Sequence, residues 1–474
     1  MENLLQAEFK RKFSMSLYKN MKLKLNEMTF TKDFVRDTRG DLYPIISISD
    51  DCDEAIEHNR YVLRGGSVTR LIGQFFPYAT YELTATIDDG SAGFQFALPD
   101  TKALLTVSAD KLQYSCGKQV QELSLPEYLT DRITMIVSCR PTAFDVYFML
   151  NGKPEFFASI REKAFDNSHD YACFSNSTMS LAVSGRSTVE SVLGYIDTGT
   201  SIADMRPIRY ENGDVMVEQG KIYLTASIRM QETMFQGIFS WIPSTSEIAL
   251  VGALFYDSGD GKWCGDVAAS VLYHRGEKLW YLWVCSFAHD HILGHAIFEG
   301  DLRFGVNVVD IELMEKADDG ADTSTFAGFS GDEDPDFFYD KNTDKWKMAI
   351  CRLDTATKKY RYVFFESDKP FSDYHCIGKG LEGAETGGSF VKVGGELFFL
   401  CGNDFNKRAD YRIYHKDGMT NAKFDYDDGG FRGWGTLIPI KMGSRTRYFW
   451  LTFDRHRGSD YNWSYGNLYC FEAP

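Results

Sequence analysis

The strongest constraint on the fold is a unit that occurs five times in the second half of the chain. In each unit an apolar strand ends in a turn that contains Gly, or Asp and Lys, and a strongly aromatic strand follows. The units are GDVMVEQGKIYLTAS (213–227), GDVAASVLYHRGEKLWYLWVCSF (265–287), DPDFFYDKNTDKWKMAICR (334–352), ETGGSFVKVGGELFFLCG (385–402) and GTLIPIKMGSRTRYFWLTF (435–453). Their starts are roughly 50 to 70 residues apart, about the length of a four-stranded propeller blade with long loops. The spacing predicts a five-bladed β-propeller, with an irregular second sandwich as the alternative.

The region before these units has another pattern, in which short alternating strands are separated by tight turns. YELTATIDDGSAGFQFALP (81–99) reads as two strands around an Asp-Asp-Gly turn, and TMIVSCRPTAFDVYFMLNGKPEFFAS (134–159) repeats the design. Eight or more such strands predict a two-sheet sandwich, whose strand rhythm resembles concanavalin-like jelly rolls. We therefore expect an all-β protein with a jelly-roll β-sandwich at 26–195 and a five-bladed propeller at 196–474. Residues 1–25 are expected to form a short helix or a tail.

Composition excludes several classes of function. A chain of 474 residues is long enough for two domains, and its net charge of −16 argues against nucleic acid as a partner. No run of about 18 apolar residues appears, so no membrane span is expected. The N-terminus has no apolar stretch of signal-peptide length, and the ten cysteines include no CxxC pair. These features predict free thiols and a cytoplasmic location.

Acidic residues stand at or beside the start of four of the five units. The innermost strands of a propeller surround one axis, so residues that are far apart in sequence meet in one pocket. Carboxyl groups gathered there can be held at different pKa values, as acid and base catalysis at one bond requires. The segment GDEDPDFFYD (331–340) is the most acidic of these sites. The four leading acids are Asp214, Asp266, Asp334 and Glu385.

These motifs resemble those of the five-bladed propeller glycoside hydrolases, especially family 43 and the related families 62, 32, 68 and 117. The resemblance covers about 204–474. DPDFFYD (334–340) matches the Asp-Pro-x-x-Phe-x-Asp motif, WCGDV (263–267) is similar to Trp-Ala-Pro-Asp/Glu-Val, and ETGGSFVKVGGELFFL (385–400) is similar to the Glu-Gly-Pro strand. Two family prolines are missing, one of them replaced by Val215, and the WMNDPNG-type motif of the fructosidases is absent.

The resemblance implies three catalytic carboxylates. Asp214 would be the general base that activates water, Asp334 would tune and orient the acid, and Glu385 would be the general acid. A rival base is Asp204 in IADMRPI (202–208), with Arg206 two residues further on. Inversion is expected, with acid and base about 6.5–9.5 Å apart.

Other polar and aromatic residues are expected to bind the substrate, with a purely structural position as the alternative for each. They are Arg206, Trp263, Asp266, His289, His291, Arg352, Asn403 and His456. The histidine spacing does not match a metal motif, so no metal ligands are assigned and no cofactor is required. The resemblance alone allows a structural calcium or sodium ion on the propeller axis.

The sequence therefore predicts a glycoside hydrolase that acts on oligosaccharides. The alternatives are a phosphorylase or transglycosidase of the same fold, a non-catalytic carbohydrate-binding protein, and a polysaccharide lyase. A phosphorylase would need a basic phosphate pocket, for which Arg206, Arg352 and Arg408 are available. The sugar, the linkage and the oligomeric state are left open.

Overall fold

The computed structural model describes residues 4–31, 34–36, 42–44, 52–127, 129, 131–314, 331–354, 357–381, 383–403, 410–425, 431–442, 445–454 and 467–473. These residues are almost entirely β-structure and form two compact units. The propeller unit consists of residues 1–21, 198–260 and 264–474, and the N-terminal unit consists of residues 22–197 and 261–263. Helices are short: Leu4–Gln6, Lys163–Phe165, Tyr171–Phe174 and Phe287–His289. No described helix has the length and apolar character needed to cross a membrane.

Five sheets form the propeller unit, so the predicted five-bladed propeller is confirmed. Blade one contains Ser201–Pro207, Val217–Glu218, Lys221–Arg229, Met234–Ile242, Glu247–Asp257 and Gly305–Asp310. Blade two contains Arg209–Tyr210, Val267–His274, Leu279–Ser286, Ile292–Phe298 and Glu312–Leu313. Blade three contains Glu333–Asp340, Lys345–Asp354, Lys359–Ser367 and His375–Lys379. Blade four contains Glu385–Val393, Glu396–Asn403, Asp410–His415 and Gly418–Asn421.

Blade five joins the two ends of the chain. It contains Lys423–Asp425, Phe431–Met442, Arg445–Asp454 and Asn467–Ala473, together with Glu8–Ser16 from the N-terminus. Glu8–Ser16 pairs antiparallel with Asn467–Ala473, and its Phe9 is fully buried against the rings of Phe424 and Trp450. The prediction of a tail or short helix over residues 1–25 is therefore wrong. Phe9 is the one buried residue of Glu8–Ser16, which gives little sequence signal for a strand.

Blade one begins earlier than the sequence predicted. The unit at 213–227 was expected to supply its first strand, but that strand is Ser201–Pro207, in which every residue is buried. It pairs antiparallel with Lys221–Arg229, so 213–220 connects the blade and contributes only the two-residue strand Val217–Glu218. The strand was missed because the hairpin-like turn in GDVMVEQGKIYL resembles the turns of the other four units.

The N-terminal unit is also all β. Hydrogen bonds connect its strands into one branched sheet, in which the long strands Thr80–Leu98 and Thr178–Asp197 pair along most of their length. The other strands are Lys22–Thr31, Phe34–Arg36, Leu42–Pro44, Asp53–Glu57, Arg60–Gly65, Ser67–Gly73, Thr101–Val107, Lys111–Cys116, Gln119–Ser124, Arg132–Arg140, Ala143–Leu150 and Lys153–Arg161. A two-sheet jelly roll stays a prediction for this unit.

The ten cysteines all lie within the described residues, and none of them forms a disulfide bond. Six of them are buried, among them Cys285, Cys351 and Cys401 in the second strands of blades two, three and four. The thiols of Cys285 and Cys351 donate weak hydrogen bonds to the carbonyls of Asp332 and Glu385, each in the first strand region of the next blade. These thiols act as small packing groups between blades.

Candidate active site

The innermost strand of every blade carries a β-bulge near its start. The pairing register shifts between Ala203 and Arg206, Val267 and Ser270, Glu333 and Asp336, Thr386 and Ser389, and Arg432 and Gly435. In four blades the bulged residue has a positive φ: 52° at Asp204, 59° at Ala268, 49° at Asp334 and 59° at Gly387. A left-handed conformation costs a non-glycine residue about 1–2 kcal/mol, and such bulges re-aim side chains beside functional sites.

Asp204 and Asp334 occupy equivalent bulges in blades one and three. Both side chains are 6% exposed. Burial and the charge of Asp204 raise the pKa of Asp334 to about 7, although the neighbouring Arg206 lowers it. Asp334 Oδ2 accepts hydrogen bonds from the Thr386 hydroxyl (3.1 Å) and the Gly387 N–H (3.0 Å), so one of its oxygens is fixed. The structure thus brings together two acids that are 130 positions apart in the sequence.

Small residues separate these two acids around the ring of bulges. Blade two presents Ala268 and blade four presents Gly387 at the equivalent position. Neither residue carries a large side chain at its bulge, and the Gly387 N–H bonds Asp334 directly. The next glycine, Gly388, is instead closely packed, since an added Cβ would lie 2.3 Å from the Phe399 ring.

Arg206 holds the bulges in place rather than facing a ligand. Its guanidinium donates to the carbonyls of Ala268 (2.9 Å), Pro335 (2.6 Å) and Asp334 (3.1 Å), and its side chain is 3% exposed. One arginine from blade one therefore fixes the bulged backbone of blades two and three. The expectation that Arg206 binds substrate directly does not agree with these contacts.

The other acids of GDEDPDFFYD have cationic or polar partners of their own. Asp332 forms a two-point ion pair with Arg352 (2.6 and 3.0 Å). Asp336 is fully buried and accepts from Arg209, the Ser270 hydroxyl and the Phe390 N–H. Of the four acids at 332–336, Asp332 and Asp336 are thus paired with arginines inside the fold, and only Asp334 interacts with Asp204.

Glu333 forms a third acidic group beside this pair. Its Oε1 accepts from His291 Nδ1 (2.7 Å) and from the Tyr360 hydroxyl (3.0 Å). The hydrogen bond to Glu333 raises the pKa of His291, although burial lowers it, and the charge of Asp334 raises it further. The side chains of His291 and Glu333 are 30% and 19% exposed, so this pair is more open to solvent than Asp334. Sequence reasoning selected His291 but not Glu333, whose significance depends on the loop that carries the histidine.

Asp214 does not join this group. Its side chain is exposed and accepts a hydrogen bond from Asn212 (2.7 Å). The same loop is bonded to the far end of the first strand of blade three, since the Tyr339 N–H donates to the Glu211 carbonyl. Asp334 stands near the start of that strand, and five residues of strand span about 17 Å. The choice of Asp214 over Asp204 as the acid next to Asp334 is therefore wrong.

Glu385, the predicted general acid, is buried and bonded inside the fold. It is fully buried, accepts from the Tyr362 N–H (3.1 Å), and pairs with Arg412 (2.8 Å) and the Tyr414 hydroxyl. It lies two positions before the bulge at Gly387, whereas Asp334 lies at its bulge. Position along the bulged strand decides whether a side chain faces the axis or its own blade, and the leading-acid pattern did not distinguish these positions.

Asp266 occupies the same position in blade two as Glu385 in blade four. It is 1% exposed, and burial raises its pKa. Its Oδ1 accepts from the Ala288 N–H (3.2 Å), while Oδ2 has no hydrogen-bond partner among the described residues. Gln236 Nε2 and Asp204 Oδ1 are likewise buried without a partner in the described part of the chain.

The remaining predicted binding residues have structural partners. His289 is held between the hydroxyls of Ser286 (2.8 Å) and Ser258 (3.2 Å), and Asn403 accepts from the Ala384 N–H (2.9 Å). Arg352 forms an ion pair with Asp332. Trp263 belongs to the N-terminal unit, where it packs against the rings of Tyr171 and Phe174. His456 and Arg408 lie outside the described residues.

Among the described residues, no group of three or more His, Cys, Asp or Glu side chains has the arrangement of a metal site. The axial Asp204 and Asp334 are bonded to hydroxyl and amide groups of the protein instead.

No protein-family model matches the chain, and no curated protein is significantly similar to it. Solved structures with a similar fold include the levansucrase of Bacillus subtilis, at 11% identity over 58% of this chain and 86% of that chain, with a TM-score of 0.40. A levansucrase variant of B. megaterium is 10% identical over 58% and 84%, with a TM-score of 0.42. Zg3597 of Zobellia galactanivorans, a family 117 glycoside hydrolase, is 11% identical over 58% and 84%, with a TM-score of 0.40.

Proposed function

We propose that this chain is a glycoside hydrolase whose acid and base are Asp334 and Asp204. The observation that carries the proposal is the pair of bulged carboxyls in blades one and three. Burial and the Asp204 charge raise the pKa of Asp334 to about 7, so the pair holds one proton near neutral pH. Two carboxyl groups that differ in protonation are what hydrolysis of a glycosidic bond requires.

The surroundings of the two acids suggest how the proton is used. Asp204 Oδ2 accepts from the Ser227 hydroxyl (2.7 Å), so one of its two oxygens is held by the protein. Asp204 then acts as the base that removes a proton from water, and the water oxygen bonds to the anomeric carbon. The bond from that carbon to the leaving oxygen breaks, and Asp334 gives its proton to the leaving oxygen. We propose inversion at the anomeric carbon, as the motif resemblance implies.

A polyhydroxylated substrate fits the polar groups around this pair. Buried donors and acceptors without partners are costly, at about 1–3 kcal/mol each. Asp204 Oδ1 and Asp266 Oδ2 are such acceptors, and Gln236 Nε2 is such a donor, within the described part of the chain. A hydroxyl group can both donate and accept, so a sugar can satisfy both kinds of group. We propose an oligosaccharide as the substrate, and the cytoplasmic location stays a prediction.

The test is a panel of 4-nitrophenyl glycosides with the wild type and the variants Asp204→Asn and Asp334→Asn. Both variants are expected to lose at least about 100-fold in kcat, since acid–base catalysis contributes about 10²–10⁴-fold. Asp214→Asn is the matched control and should retain full activity, because the Asp214 side chain is exposed and accepts from the neighbouring Asn212. Wild-type rates should fall as the pH rises through about 7, where Asp334 loses its proton.

Other outcomes would assign another function. Binding of sugars without turnover would identify a carbohydrate-binding protein, and an unsaturated product would identify a lyase. Two of the three arginines available to a phosphorylase have other partners, since Arg206 bonds three backbone carbonyls and Arg352 pairs with Asp332, which disfavours that function. Rates that do not depend on phosphate would agree with this.

A further inference from the structure

Gln236 is a buried amide whose orientation is fixed by the backbone. It lies in the third strand of blade one, Met234–Ile242, and its side chain is fully buried. Its Oε1 accepts from the Ala269 N–H (2.9 Å), so Oε1 and Nε2 cannot exchange places without losing that bond. Nε2 is buried and has no hydrogen-bond partner among the described residues.

The fold places this amide next to Asp204. Ser227 stands directly opposite Gln236 in the pairing of two blade-one strands. The Ser227 hydroxyl donates to Asp204 Oδ2 (2.7 Å) and accepts from the Ala268 N–H (3.1 Å), while Gln236 accepts from the next N–H, that of Ala269. Asp204 and Gln236 therefore lie on either side of Ser227 and against the same two-residue segment of blade two.

Two complementary groups, one on each side of Ser227, are thus left without hydrogen-bond partners among the described residues. Asp204 Oδ1 can only accept when ionised, and Gln236 Nε2 can only donate. Each side chain is already held through its other polar atom. The Ser227 hydroxyl holds Asp204 Oδ2, and the Ala269 N–H holds Gln236 Oε1. A hydroxyl that lies between them would accept from the amide and donate to the carboxylate.

We propose that Gln236 and Asp204 together bind one substrate hydroxyl, on the carbon next to the one that is attacked. Asp204 acts at the anomeric carbon in the proposed function, on which this inference rests, and its Oδ1, the oxygen that Ser227 does not hold, would accept from the hydroxyl on the neighbouring carbon. Gln236 is then a residue that selects sugars with a free 2-hydroxyl over 2-deoxy sugars and over sugars with a 2-acetamido group.

The experiment compares two substitutions on two substrates. The substrates are the 4-nitrophenyl glycoside that the wild type hydrolyses fastest and its 2-deoxy counterpart. Gln236→Met removes both polar atoms, whereas Gln236→Glu keeps an acceptor for the Ala269 N–H and removes the donor. Both variants are expected to lose at least about 10-fold in kcat/KM on the 2-hydroxy substrate, the value of one buried hydrogen bond, and less than about 2-fold on the 2-deoxy substrate.

Each outcome decides between distinct conclusions. An equal loss on both substrates, or normal kinetics of Gln236→Glu on both, would assign Gln236 a structural role and overturn the inference while the proposed function stands. No turnover of any glycoside by the wild type would overturn the proposed function and the inference with it. Thermal melts check folding, and Gln236→Glu decides the question if Gln236→Met does not fold.

Discussion

Replacing Asp334 with Asn should abolish activity and make the protein more stable. Asp334 is 6% exposed, and its pKa is raised from 3.8 to about 7, chiefly by burial and by the charge of Asp204. A carboxyl whose pKa is raised on folding stabilises the fold only while it is protonated. That contribution is complete below pH 3.8 and is lost as the pH rises through about 7. An amide of the same shape cannot ionise, so it avoids the loss.

The size of the effect follows from the shift. The pKa of Asp334 is raised by about three units, and each unit corresponds to about 1.4 kcal/mol. Compared with a group that does not ionise, Asp334 therefore lowers the free energy of unfolding by up to ~4 kcal/mol at pH 8 and by about 1 kcal/mol at pH 4.5. The advantage of Asp334→Asn in the free energy of unfolding should therefore grow by about 3 kcal/mol between these pH values. For a unit of this size about 2 °C accompanies each kcal/mol, so its Tm at pH 8 should be about 6–8 °C above wild type.

Thermal and urea unfolding at pH 4.5 and 8 measure this difference. Asp336→Asn is the matched control, because Asp336 is also buried and lies in the same strand but pairs with Arg209. Its loss leaves a buried arginine without its carboxylate and should cost about 3–5 kcal/mol. If Asp334→Asn destabilises the protein at pH 8, or changes stability equally at both pH values, then Asp334 does not carry the proposed proton.

Three further substitutions test the placement of single residues. Glu385→Gln should lower the free energy of unfolding by about 3 kcal/mol, because Glu385 is a buried partner of Arg412 rather than the acid. The kcat per folded molecule should change less than about 2-fold, and a loss of kcat with unchanged Tm would contradict this. Phe9→Ala should cost about 3–5 kcal/mol in urea unfolding, since the ring is fully buried in blade five, whereas a flexible N-terminus would show no change. Gly388→Ala should lower Tm by an amount equivalent to about 1–3 kcal/mol, because its Cβ would lie 2.3 Å from Phe399; a Tm equal to wild type would refute that packing.

Matched controls are available for the last two. Gly378 has no atom within 4 Å of an added Cβ, so Gly378→Ala should leave Tm nearly unchanged. Phe156 is 48% exposed in its strand, and Phe156→Ala should cost much less than Phe9→Ala.

The repeated strand–turn–strand pattern was enough to predict the five blades, because hydrophobic alternation and turns are local properties of the sequence. The exceptions were segments whose structure depends on distant partners. Glu8–Ser16 is a strand because Asn467–Ala473 pairs with it. Ser201–Pro207 is the first strand of blade one because it pairs with Lys221–Arg229, and no local signal ranked it above 213–220.

The sequence by itself determined that acids would stand at the starts of propeller strands, since both the strand starts and the residue types can be read from it. Only the tertiary structure decided which of them meet. Asp204 and Asp334 each stand at a β-bulge, and the charge of Asp204 raises the pKa of Asp334, while Asp332, Asp336 and Glu385 pair with arginines within the fold. The physical reason is that the direction of a side chain on a strand changes with every residue and with every bulge. Register is set by pairing with other strands, which sequence spacing does not specify.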